Sequence, residues 1–80
     1  MSFNLHFSRD LFLARTNSRL SQQDVAERTG ISLREYQNIE SGRRCPRVLT
    51  FLILIFLFEI DIYAYREEVM RYVPLHLGRR

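Results

Sequence analysis

All twelve basic side chains in this 80-residue sequence are Arg, and none is Lys. Arg carries a planar fork of donors that pairs bidentately with phosphate oxygens or with the O6/N7 edge of guanine. Such a composition permits nucleic-acid binding, and the spacing of other residues has to argue for it. The distribution points the same way: residues 1–47 hold eight Arg against five acids, whereas residues 48–80 balance four against four. The excess of positive charge therefore lies wholly in the first part of the chain.

Catalytic chemistry has no comparable footing. His6 and His76 are lone histidines with no ligand cluster near them in the sequence, so neither a metal nor a general base is expected. No paired-carboxylate, nucleophile or phosphate-loop constellation is present, so no catalytic residue and no cofactor is assigned, and the chain is expected not to be an enzyme. The single Cys45 excludes an intramolecular disulfide framework and a multi-cysteine zinc site. It reads as an ordinary loop residue in a reducing, cytoplasmic compartment. The start, Met1 to Phe7, lacks a basic segment followed by a long apolar run, so secretion is not expected.

Periodicity predicts an all-α domain of five short helices with no alternating strand pattern of useful length. The first runs over about 7–17, with Phe7, Leu11 and Ala14 on one side together with Ser18 or Phe12. The second covers about 22–29. Ser21 precedes it as N-cap, and Asp24 makes a shortened form of the capping box, in which side chains satisfy orphan amides at a helix start. Gly30 ends it, since glycine adopts the left-handed backbone of a sharp turn at no steric cost. Ile31 enters the core within that turn. Ser32 and Glu35 form a full S-x-x-E box opening the third helix, which carries Tyr36 and Ile39 inward until Ser41-Gly42 stops it. Two capped helices are thus separated by a turn of three to four residues, with the small Ala26 where they cross.

The segments L-S-Q-Q-D-V-A-E-R-T-G-I-S at 20–32 and I-E-S-G-R-R-C-P-R at 39–47 resemble the Cro/phage-repressor type of helix-turn-helix domain, and the likeness extends without gaps from Phe7 to about Tyr65. It implies a compact five-helix domain that binds double-stranded DNA, as a homodimer in most relatives, and regulates transcription. The second helix of the motif would enter the major groove and present Leu33, Arg34, Gln37 and Asn38 to base edges. Arg34 suits a guanine, Asn38 or Gln37 an adenine, and Leu33 only something like a thymine methyl. The resemblance puts Gln22 at a phosphate-contacting position at a helix N-terminus, and Ser41, Arg43 and Arg44 on a loop over the DNA backbone. Many relatives have Gln in place of Leu33, which allows a side-chain pair with Gln22 that Leu cannot make. Arg15 and Glu40 match positions that imply a structural ion pair joining the first helix to the end of the third.

Residues 48–58, V-L-T-F-L-I-L-I-F-L-F, are apolar except for Thr50. A membrane span needs about 20 such residues, so a buried helix is expected and no membrane partner. On a helical wheel Val48, Phe51, Leu52, Ile55 and Phe58 fall on one face, the expected core. Leu49, Ile53 and Phe56 follow one another at i, i+4 and i+7 as a second stripe, with Ile60 extending it. A two-fold copy of the same surface is the economical cover for that stripe in a domain of this size, the alternative being that the tail or the last helix folds over it within one chain. Asp61 caps a last helix carrying Ile62, Tyr65, Val69 and Val73, which ends before Pro74.

The expected organisation is a DNA-binding and dimerisation domain over 1–73 and a short tail over 74–80, whose His76, Arg79 and Arg80 could add weak backbone attraction. A sequence-specific transcriptional regulator on a palindromic operator follows, with no small-molecule ligand expected. The alternative is an antitoxin-like or adaptor protein whose apolar fourth helix binds a different protein.

Overall fold

The computed structural model describes residues 2–71. Its elements are α1 (Phe3–Asn17), α2 (Gln22–Thr29), α3 (Leu33–Glu40), α4 (Val48–Phe58), a 3₁₀ turn (Ile62–Tyr65) and α5 (Arg66–Met70), with no strand among the described residues. Val73, Pro74, His76, Arg79 and Arg80 lie outside them.

Helix α1 starts four residues earlier than periodicity predicts, because Ser2 accepts the Leu5 N–H and because Phe3 has aromatic neighbours that the first turn cannot reveal. The Phe3 ring stacks on Phe7 at 5.7 Å between centroids and meets Phe51 and Tyr65 edge-on at 5.5 and 5.6 Å. Phe12 faces outward, its ring 5.7 Å from the Arg15 guanidinium carbon, so it is not part of the buried stripe of α1.

Two helices end on left-handed residues that are not glycine. Past α1, Arg19 has φ 60°, with its N–H bonded to the Thr16 carbonyl and the Leu20 N–H to the Arg15 carbonyl. Past α4, Glu59 has φ 53° and the Ile60 N–H reaches back to the Ile55 carbonyl. Both closures satisfy orphan carbonyls, at a conformational cost of about 1–2 kcal/mol for a residue with a Cβ.

The core comprises Phe7, Leu11, Val25, Tyr36, Ile39, Leu54, Ile55 and Tyr65. Within it α4 is phased differently from the helical-wheel expectation. Leu54 is fully buried, whereas Val48, expected inside, is 77% exposed. The inward face runs Phe51, Leu54, Ile55 and Phe58, spaced i, i+3, i+4 and i+7. A helix apolar all round carries no polar side to orient it, so the docking of Phe51 against Phe7, at 4.8 Å between ring centroids, sets its rotation. The last helix also differs from expectation. Asp61 accepts the Tyr63 N–H at 3.0 Å, but the turn it caps is 3₁₀, and only five residues of α-helix follow.

Candidate nucleic-acid interface

Local capping positions the α2–turn–α3 unit. Ser21 and Asp24 form the complete reciprocal box: the Asp24 N–H donates to Ser21 Oγ at 3.0 Å and the Ser21 N–H to Asp24 Oδ2 at 2.8 Å. The backbone donor from Ser21 holds the Asp24 carboxyl below its ordinary range. At α3 the box is only half made. Ser32 Oγ accepts the Glu35 N–H at 3.1 Å, and no return bond from the Ser32 N–H to the Glu35 carboxylate accompanies it, so the full box expected there is corrected to a single cap. Gly30, at φ 76°, makes the turn between the two helices, and its N–H closes α2 on the Ala26 carbonyl.

The face of α3 turned away from the core carries the residues singled out for base contact. Arg34 and Gln37 are exposed, while Leu33 and Asn38 are half-buried. After α3 the chain folds back, with the N–H groups of Arg43 and Arg44 and the Ser41 hydroxyl all donating to the Asn38 carbonyl. Gly42 has φ 82°, and a Cβ there would lie 3.3 Å from Ser8 Oγ, so the loop lies against α1. Ser41, Arg43 and Arg44 are exposed on that loop beside the free face of α3.

Behind this face sits a polar cluster centred on Glu40. Arg15 Nε donates to Glu40 Oε1 at 2.7 Å and Nη2 to Oε2 at 3.0 Å, while Nη1 donates to the Leu20 carbonyl at 2.9 Å. The side chains of the pair are only 13% and 7% exposed. Tyr36 donates its hydroxyl to Oε1 at 2.6 Å, and Gln22 Nε2 donates to Oε2 at 3.0 Å. Burial by itself would raise the Glu40 pKa, but these donors outweigh it and hold the carboxyl below its ordinary range. The hydrogen bond to Glu40 raises Arg15, and burial first and that carboxylate second push the Tyr36 phenol up. Gln22 does pair with a glutamine of α3, by accepting from Gln37 Nε2 at 3.1 Å, one turn beyond Leu33.

A family model described as helix-turn-helix matches residues 11–68. The chain belongs to that helix-turn-helix family. The match spans well over half of the sequence and supports the Cro/repressor type within it, whose general function is DNA-binding regulation. No curated protein and no solved structure matches the chain. Among the described residues, no helix of this helix-turn-helix protein is long and apolar enough to cross a membrane.

His6, isolated in the sequence, belongs to a second polar cluster in the structure. His6 Nδ1 lies 2.6 Å from Glu68 Oε2 and Nε2 lies 3.4 Å from Asp10 Oδ2, while the Tyr65 hydroxyl donates to Asp10 Oδ2 at 2.6 Å. The hydrogen bond from His6 lowers the Glu68 pKa. The i, i+4 spacing of His6 and Asp10 was a legible hint, but Glu68 comes from the far end of the chain. The cluster ties α1 to the 3₁₀ turn and α5.

The stripe singled out for dimerisation is divided. Leu49 and Phe56 are 71% and 74% exposed, Ile53 is half-buried, and Ile60 packs against the chain's own core. Ile60 thus gives part of its surface to the chain's own core. The left-handed Glu59 turns the chain back onto the core just before it.

Proposed function

We propose that this chain is a sequence-specific transcriptional regulator that binds a palindromic operator as a homodimer. In this reading Arg34, Gln37 and Asn38 read base edges from α3, Leu33 contributes an apolar contact, and Gln22, Ser41, Arg43 and Arg44 bind phosphates.

The observation that carries dimerisation is the outer face of α4, where Leu49 and Phe56 stand exposed on a helix with no polar residue except Thr50. A two-fold copy of that face, with Ile53 at its centre, covers it and sets two α3 helices about 34 Å apart for successive major grooves. Phe56→Glu tests this without touching the core. It is expected to give a folded monomer, with helical circular dichroism retained and most affinity for a palindromic duplex lost. A mutant that still sediments as a dimer, or a wild type that is monomeric at micromolar concentration, overturns the interface. A wild type soluble only alongside a different protein would assign the face to that partner instead.

A further inference from the structure

The Glu40 cluster does more than join helices, because it fixes which way two amides point. An ionised carboxylate only accepts hydrogen bonds, so Gln22 must turn its NH₂ toward Glu40 Oε2, as the 3.0 Å contact has it. Gln22 Oε1 then faces Gln37 and requires a donor there, and Gln37 Nε2 supplies it at 3.1 Å. One N–H of Gln37 is consumed. Its other N–H and its carbonyl oxygen remain on the exposed face of α3, on the same side as Arg34 three residues before it.

We propose that Glu40, acting through Gln22, sets the hydrogen-bonding polarity of Gln37, so that α3 offers one donor and one acceptor and selects adenine over guanine at one base position of each half-site. This rests on the DNA reading proposed above. Adenine presents an N7 acceptor and an N6 donor, which match that pair, whereas guanine presents two acceptors, N7 and O6. A freely rotating glutamine amide could turn both of its N–H groups to guanine. Gln37 cannot, because one of them is committed to Gln22. Gln22 and Glu40 are positioning residues here, and Gln37 is the reader.

The test begins with duplexes selected from a random pool by the wild-type chain. Gln37→Ala identifies the base position that Gln37 reads. At that position the wild type is expected to prefer adenine to guanine on the order of tenfold or more, the range of one bidentate pair. In Gln22→Met, with its fold checked by circular dichroism, that preference should fall several-fold while preferences at other positions stay put. Loss of a phosphate contact by Gln22 would weaken all duplexes alike and would not move this ratio. An undiminished adenine preference in Gln22→Met, or a wild-type preference for guanine at that position, overturns the relay alone. A wild type with no sequence preference on any duplex overturns the functional reading, and the relay with it.

Discussion

Arg15→Met is the most informative single perturbation of the fold. It removes the two charge-assisted bonds that Arg15 makes to Glu40, at 2.7 and 3.0 Å, and the bond from Nη1 to the Leu20 carbonyl. Charged hydrogen bonds contribute about 1.5–3 kcal/mol each, and stranding one partner of a buried pair costs about 3–5 kcal/mol. Glu40 keeps the Tyr36 hydroxyl and the Gln22 amide, and the Met stem replaces much of the packing, so the lower end, about 3 kcal/mol, is the expected loss. An 80-residue domain has a total stability of about 4–12 kcal/mol, so this is a large share of it. Thermal unfolding followed by circular dichroism should show Tm falling by roughly 12–24 °C. Removing both charges in Arg15→Met/Glu40→Met should recover part of the loss, since no buried carboxylate is then left without its cation. A single mutant costing under about 1 kcal/mol, or a double mutant no more stable than Arg15→Met, would refute the view that a stranded Glu40 is the cause.

Arg34→Ala should cost about 1–3 kcal/mol on the cognate duplex and relax one base position per half-site; a uniform weakening on every sequence in a binding-site selection would make Arg34 a backbone contact instead. Arg43→Ala and Arg44→Ala should each flatten the slope of log affinity against log salt by about 1 and leave base preference alone, so an unchanged slope with altered preference would exchange the roles of loop and helix. For acid unfolding, the Glu40 carboxyl is held below its ordinary value of 4.5, so the stability it contributes is complete above that value and is lost as pH falls through the lower folded one. Urea midpoints measured across that window should fall more steeply for the wild type than for Glu40→Gln, and parallel curves would show that Glu40 does not carry the acid sensitivity. Glu59→Gly should raise Tm by a few degrees by relieving the left-handed backbone at φ 53°, and a lower Tm would mean that the Glu59 side chain contributes more than its backbone costs.

The helix-turn-helix was legible because its signals are local. Ser21 with Asp24, Gly30 after α2, and Ser32 before Glu35 act within three residues of one another, and each satisfies backbone groups that any helix end leaves open. The same localness misled at Ser32, where the residue types for a reciprocal box are present and only one of its bonds forms. Helix α4 was legible as a helix but not in its rotation, because a run with Thr50 as its single polar residue has no polar side and the aromatic packing of Phe51 phases it. The left-handed turns at Arg19 and Glu59 carry no glycine to announce them, and the bonds that enforce them come from helix carbonyls already in place. What the sequence alone determined, then, is the order of the helices, the caps at Ser21, Ser32 and Asp61, and the turn between α2 and α3. The tertiary structure decided the partners that lie far apart along the chain: Gln22 with Gln37 across 15 residues, Arg15 with Glu40 across 25, where family likeness rather than spacing pointed to the pair, and His6 with Glu68 across 62. Polar side chains of one type are chemically alike along a sequence, and which donor meets which acceptor is fixed only when packing of the apolar faces brings their helices together.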